Sequence, residues 1–472
     1  MVSHMKKEIK TATNLIHSVK ALELAASFGA EYLHELDKRN VAPTCDAVQG
    51  LKNFDIPLPD FPTDPNETLR ILHQYGSPAT TASAAGRFFG LVVGGSLPAT
   101  LGARTLTSTW DQVVFNDATS AVGVKLEQMA SRWLLDILHL PSSCSVGFTT
   151  GASMANFICL AGARHSLLAR LGWDAEKQGL WNAPPIRVIA SEQIHVTVLK
   201  VLAMLGMGTN MVEFVACDDN GAISLESLPE IDERSLILTQ IGNVNSGACD
   251  PVAEIAARAS KVGAWVHVDG AFGLWAAASD KTRHLLSGYD QADSWVTDGH
   301  KWLNTPYDCG IAFCKSPQDV HSAMATQAPY LQVGGTAAPK DMVPEFSRAA
   351  RGVEIWAALH SLGRSGVAGL VDRCCEHARN FAAGLEALGF EILTDVVLNQ
   401  VVATIPGQED QMSKLAQLVQ QSGEAWFGPT TWRGRQAIRI SVSSWTTTGQ
   451  DVEQTLQAIS NAARRLEYSV TV

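Results

Sequence analysis

Apolar and polar positions follow different rhythms in different parts of this chain. Between residues 5 and 40 small or apolar side chains recur in steps of three and four (Leu15, Val19, Leu22, Ala26, Gly29, Leu33, Leu36), the spacing of one helical face. A Pro- and Asp-rich stretch at 56–66 breaks that rhythm and predicts irregular backbone. From about 105 to 315 short apolar runs alternate with longer helix-like stretches, which predicts parallel βαβ units. Within that region 186–190, 236–240 and 264–268 read as buried strands. Asp250 and Pro251 head the next periodic stretch, so the carboxylate is expected to cap a helix with proline in its first turn.

Past residue 345 the rhythm lengthens into helices at 353–362 and 370–388, with strand-like runs near 401–404 and 437–442. The expected division is an N-terminal helical arm that serves dimerisation (1–80), a large α/β domain (81–345) and a small C-terminal α+β domain (346–472). No internal repeat or low-complexity tract interrupts it.

A chain of 472 residues exceeds one compact core and leaves ample material for an enzyme. Its formal net charge of -11 argues against tracking nucleic-acid phosphates, which requires clustered Lys and Arg. Small-molecule chemistry is the expectation. The nine cysteines are an odd number with no CxxC spacing, which favours a reducing compartment, the cytoplasm, over a disulfide framework. The polar start, 1–10, shows no export signal. The most apolar run, 88–103, carries four glycines and a proline and is shorter than a bilayer span of about 20 residues. It reads as buried protein, and no membrane contact is expected.

Open parallel sheets bind ligands beyond the carboxyl ends of their strands, so the residues just after each strand come first. Asp269 ends one strand and precedes Gly270, Ala271, Phe272 and Gly273, small residues among them that would let a flat ring approach. A carboxylate there could keep a heteroaromatic nitrogen protonated, or it could simply cap a helix. His267, Asp269 and His300 could instead form a metal site, although no further ligands have a recognisable spacing. Lys301 follows His300 and precedes Trp302 and Leu303; desolvation by such neighbours would free its amine for imine formation, whereas an isolated loop lysine is usually solvated. The run 147–156 is a Gly/Thr/Ser-rich turn opening a helix at 154–171, where amides around Gly151, Ala152 and Ser153 could hold an anion. It matches neither the Walker loop nor the dinucleotide fingerprint. His195 follows another strand and could stack on a ring or be an ordinary bonded histidine.

Taken in order, these segments resemble the group II pyridoxal 5'-phosphate (PLP) dependent amino-acid decarboxylases. The resemblance rests on Arg87-Phe-Phe-Gly90, Thr150-Gly-Ala-Ser-Met-Ala-Asn156, His195 with Lys200, the run from Gly242 to Asp250, His267-Val-Asp-Gly-Ala-Phe-Gly273, the run from His300 to Gly310, and Arg351-Gly-Val-Glu-Ile-Trp356. It implies PLP fold type I, an α/β architecture with a mainly parallel central sheet flanked by helices. It also implies that Lys301 holds the cofactor as a Schiff base, that Asp269 pairs with the ring nitrogen, and that His195 stacks on the ring opposite Ala271. Gly151, Ala152, Ser153 and His300 would surround the phosphate, with Thr297 a further candidate. The resemblance implies a homodimer with shared active sites and a small-molecule amino-acid substrate.

Three departures bear on the chemistry. Many members protonate the product carbon with a loop tyrosine, yet 331–348 contains none; Tyr330 stands at the edge of that stretch. Such a change can divert decarboxylation toward the aldehyde. Val244 stands where threonine is common near the cofactor, and Met154 replaces an acidic residue. Besides L-amino-acid decarboxylation, the sequence therefore leaves open an aldehyde synthase, an aminotransferase or aldol lyase, and a non-catalytic PLP-binding protein. Phe88, Phe89, Leu97 and Pro98 could help line an apolar pocket, which leans toward an aromatic substrate, but burial in the core explains them equally well.

Overall fold

Seven short strands build the central sheet, and their sequences explain where they lie. β1 (Ser145–Thr149), β2 (Arg187–Ser191), β3 (Val212–Val215), β4 (Ser235–Gln240), β5 (Trp265–Asp269), β6 (Ser294–Asp298) and β7 (Gly310–Cys314) take the order β1-β7-β6-β5-β4-β2-β3. β4 to β7 are buried at every position, as strands covered on both faces must be. β6, β5, β4, β2 and β3 run parallel, whereas β7 is antiparallel to both β1 and β6. The segment between β6 and β7 is too short to hold a crossover helix, so the chain returns as a hairpin.

The computed structural model describes residues 2–326 and 338–466, with side chains from residue 17 onward. Beneath the sheet lies the helix Ala152–Arg170, whose apolar residues are buried around most of its circumference rather than along one stripe. It starts two residues earlier than the sequence pattern indicates. A second sheet of β8 (Glu391–Ile392), β9 (Gln400–Thr404), β10 (Gly428–Trp432) and β11 (Arg435–Ser441) is wholly antiparallel, in the order β10-β11-β9-β8. The two helices expected after 345 form one run, Arg351–Ala387, broken at Gly363 by a left-handed backbone turn (φ 60°). The first part packs against Ala103, Val114 and Val124 of the large body.

The N-terminal helix, Val2–Glu35, is followed by segments stitched to the C-terminal sheet. Arg87 is buried and donates to the carbonyl oxygens of Asp37 (3.0 Å) and Glu424 (2.7 Å). The apolar run 88–103 is built into the protein: Phe88 stacks on Trp426 and Phe89 meets Phe381 edge-on. Among the described residues no helix is long and apolar enough to cross a membrane.

Asp250 does not cap the helix that follows it. That helix spans Val252–Val262, its N-cap is Pro251, and no side chain caps it. The Asp250 carboxylate instead accepts the backbone N–H groups of Ile223 (2.8 Å) and Gln240 (2.6 Å), pinning the end of β4. Two buried orphan donors of the chain outweigh one helix terminus open to other partners.

Candidate active site

The carboxyl ends of β1, β4, β5 and β6, together with the start of β7, border a cavity of about 380 Å3. That volume falls among small-molecule sites, which run from roughly 300 to 1,000 Å3. Lys301, Asp269, His195, Ala271, Gly151, Ala152, Ser153 and His300 all line it.

Lys301 sits in the hairpin after β6. Its Nζ lies 3.1 Å from Asp298 Oδ2, and His300 Nε2 is 3.7 Å from the same oxygen. The amine is thus held by a carboxylate rather than by the apolar wall expected of Trp302 and Leu303, which turn into the core. Burial lowers the His300 imidazole, partly offset by Asp298. Among the described residues the buried Asp298 Oδ1 has no hydrogen-bond partner.

Asp269 closes β5, 7% exposed. Its Oδ1 accepts the Ala271 N–H and its Oδ2 accepts Asn156 Nδ2–H, each at 3.1 Å. His267 shares the same strand face, but its ring nitrogens are both bonded, Nδ1 to Ser294 Oγ (2.8 Å) and Nε2 to Asn156 Oδ1 (2.7 Å). The metal alternative fails on this geometry. Among the described residues no cluster of three His, Cys, Asp or Glu side chains is set to hold an ion.

His195 is the N-cap of the helix Val196–Met204, and its Nδ1 faces the Thr197 hydroxyl (2.7 Å) and the Thr197 N–H (3.4 Å). An amide proton directed at Nδ1 requires that nitrogen to be an acceptor, which places the imidazole proton on Nε2. Burial lowers this histidine, with Lys301 and Arg439 acting in the same direction and Asp269 against them. Gln240, at the end of β4, accepts the His195 N–H through Oε1 at 3.1 Å.

The anion turn is shaped by absent side chains. A Cβ on Gly310 would fall 2.2 to 2.5 Å from the Gly151 backbone, so only glycine lets β7 run against the turn. No side chain caps the helix at Gly151, and while the Met154 and Ala155 N–H groups donate to the Gly151 carbonyl (2.9 Å each), the amides of Ala152 and Ser153 face the turn as candidate anion donors.

A pyridoxal-dependent decarboxylase conserved domain matches residues 56–405. The chain belongs to the pyridoxal-dependent decarboxylase family. It is 24% identical over 480 residues to a phenylacetaldehyde synthase of a Rosa hybrid cultivar, spanning 94% of this chain and 93% of that protein. An aromatic-L-amino-acid decarboxylase of Bacillus atrophaeus is 25% identical over 461 residues, spanning 93% and 94%. The structure of Oryza sativa TDC with PLP and tryptamine superposes with a TM-score of 0.88 at 21% identity, over 96% of this chain and 98% of that one. The fold is therefore the expected type I architecture, and the protein is a PLP-dependent carboxy-lyase.

The decarboxylase's own donor set fits its cofactor. An amine, a buried carboxylate and an uncapped helix turn converge on one cavity, and a Cβ at Gly151 would stand 3.5 Å from His300 Cε1 and 3.8 Å from Asp298 Oδ1.

Other expectations are corrected. Phe88, Phe89, Leu97 and Pro98 do not line the cavity; Val92, Val244, Phe272 and Tyr307 do. Thr297 lies behind the wall, its hydroxyl donating to the Ala271 carbonyl (3.4 Å). Gly270 and Gly273 admit neighbouring chain rather than a ring, since Cβ atoms there would strike Leu274 and the Ile241 carbonyl. Lys200 is exposed on the surface. Tyr330 lies outside the described residues.

Sequence reasoning missed Asp298, Gln240 and Tyr307, which line the cavity, and Arg439, which stands behind Val244 of its wall. Asp298 was legible as the final residue of a buried strand, three before Lys301. Arg439 was legible as the one cation in the apolar run 437–442; its guanidinium reaches the carbonyls of Val244 (3.3 Å) and Leu91 (3.4 Å). Burial raises Tyr307, whose ring lies 4.3 Å from that of His300.

Proposed function

We propose that this enzyme decarboxylates an L-amino acid, with Lys301 carrying the cofactor and Asp269 facing its ring nitrogen. His195 and Ala271 bound the two faces of the ring, while Gly151, Ala152, Ser153 and His300 hold the phosphate. Thr297 steadies the wall through Ala271. The observation that supports this reading is the convergence of the Lys301 amine, the Asp269 carboxylate and the His195 imidazole on one cavity at the strand ends.

When bound, PLP supplies an electron-poor ring that accepts the electron pair released as carbon dioxide leaves. The residues of the chain do the rest. Asp269 keeps a negative charge beside the ring nitrogen, Asp298 orients the Lys301 amine, and the uncapped amides neutralise the phosphate. Arg439, with no carboxylate partner among the described residues, is the cation available to orient a substrate carboxylate at the mouth.

The apolar wall of Val92, Val244 and Phe272 favours an aromatic side chain, and two of the relatives are named as a phenylacetaldehyde synthase and an aromatic-L-amino-acid decarboxylase. The second reading, decarboxylation coupled to oxidative deamination, is favoured by the lack of tyrosine in 331–348. We further propose a cytoplasmic homodimer with shared active sites. All nine cysteines are unpaired, and Leu58 (91% exposed) and Phe61 (82%) offer apolar surface for a partner to cover. In that assembly 1–80 is the dimerisation arm, 81–345 the PLP-binding body and 346–472 the small C-terminal domain.

The test is Lys301→Ala, which should abolish both borohydride-trapped cofactor and carbon dioxide release; retained turnover would end this reading. Screening amino acids and cysteine sulfinate for carbon dioxide, with peroxide and ammonia followed in parallel, separates the amine from the aldehyde outcome.

A further inference from the structure

Behind Asp269 runs a file of side chains that no reaction step has yet used. Trp265 Nε1–H donates to Ser294 Oγ (3.0 Å), Ser294 Oγ meets His267 Nδ1 (2.8 Å), His267 Nε2 meets Asn156 Oδ1 (2.7 Å), and Asn156 Nδ2–H donates to Asp269 Oδ2 (3.1 Å). Trp265, Ser294, His267 and Asn156 are all at most 2% exposed, so water does not compete for any of these bonds.

The two ends fix the direction of every link. An indole N–H can only donate, and a carboxylate can only accept. Asn156 must turn its Nδ2–H to Asp269 and so its Oδ1 to His267 Nε2, and the neutral ring, protonated there, accepts at Nδ1 from the Ser294 hydroxyl, which still has a lone pair for the indole N–H. The reverse amide orientation would set Oδ1 against the carboxylate and two N–H groups against each other.

Two further observations agree. Burial lowers His267 to about 4, so the ring is neutral and has one proton to give. The neighbouring Cys159 also meets Ser294, but burial holds its thiol protonated and its S–H faces the Trp295 and Phe313 carbonyls at 3.5 Å, so the sulfur offers the Ser294 hydroxyl only a weak acceptor beside His267 Nδ1.

We infer that this one-way donor file, and Asn156, His267 and Ser294 within it as positioning residues, sets the protonation of the cofactor's ring nitrogen by polarising and immobilising Asp269. Successive donors pointing the same way strengthen one another in a dry interior. The charge-assisted last bond keeps the proton on the ring nitrogen rather than on the carboxylate. The inference rests on the proposed placement of Asp269 against the cofactor.

The experiment uses the full-length holoenzyme loaded with PLP isotopically labelled at the ring nitrogen, read by nuclear magnetic resonance beside kcat. Asn156→Leu should move the nitrogen resonance toward its unprotonated position and lower kcat about tenfold, the worth of one charge-assisted bond. Ser294→Ala, three links from the carboxylate and outside the cavity, should shift it the same way by less, and Ser294→Thr, which keeps the hydroxyl, should restore it. If Asn156→Leu does not fold, Ser294→Ala against Ser294→Thr decides alone. A wild-type resonance in loaded Asn156→Leu and Ser294→Ala, with Asp269→Asn shifted, overturns the inference while leaving the Asp269 assignment standing. An unmoved resonance in Asp269→Asn overturns both.

Discussion

Lys301 and Asp298 are paired across one turn of the hairpin that follows β6, Nζ to Oδ2 at 3.1 Å, while the second Asp298 oxygen is buried with no partner among the described residues. A carboxylate therefore shares the cavity with the turn assigned to an anion. The lysine offsets its charge only as long as the pair holds.

Asp298→Asn removes that negative charge, so the cofactor-free protein should bind inorganic phosphate about tenfold more tightly, the scale expected for like charges a few ångströms apart in a partly screened site. Isothermal titration of the unloaded protein checks it. Unchanged or weaker phosphate binding would place the anion elsewhere.

Two buried groups should give opposing pH dependences of stability. His267 is lowered from 6.5 to about 4, so its contribution is complete above 6.5 and is lost as pH falls through 4. Asp250 is raised from 3.8 to about 7, so its contribution is complete below 3.8 and is lost as pH rises through 7. Between about pH 4 and 6.5 the slopes oppose each other at about 1.4 kcal/mol per pH unit each. Asp250→Asn should expose the histidine slope: urea midpoints of the variant should fall with decreasing pH more steeply than those of the wild type. Parallel curves would contradict the assignment.

Gly310→Ala forces a methyl group onto the Gly151 backbone. Displacing the turn should cost about 2 kcal/mol of stability and weaken PLP binding more than tenfold, because backbone cannot move aside as a flexible side chain can. Thermal unfolding with and without PLP measures both. A variant with native cofactor affinity would show that the turn is not the anchor.

Arg439→Gln should raise KM about tenfold or more with little change in cofactor affinity, since the guanidinium sits by Val244 and Leu91 rather than among the lysine's neighbours. Steady-state kinetics beside a PLP titration distinguish the two effects. Loss of cofactor instead of substrate affinity would reassign it.

The buried strands were legible because a strand covered on both faces must be apolar throughout, and residues after β5 and β6 were legible because parallel sheets offer ligands their carboxyl ends. Asp250 misled because a carboxylate before a proline looks like a cap, and sequence does not show that two distant amides lie closer to it. Phe88 and Phe89 misled similarly: an apolar pair near a motif fits a pocket or a core, and only Trp426 and Phe381, more than 290 residues away, decide for the core. Asn156 sat inside a segment already read as an anion turn, yet its partners His267 and Asp269 come from β5, more than 100 residues on. Long-range partners of this kind leave no local spacing to read.

Both flanks of the segment bearing Lys301 are zipped to the same sheet, one strand leaving and the next coming straight back beside it. The main chain there has little slack, so when the amine trades one partner for another the excursion belongs to its methylene stem alone. A residue one carbon shorter at that position would lose reach that the scaffold has no way to give back.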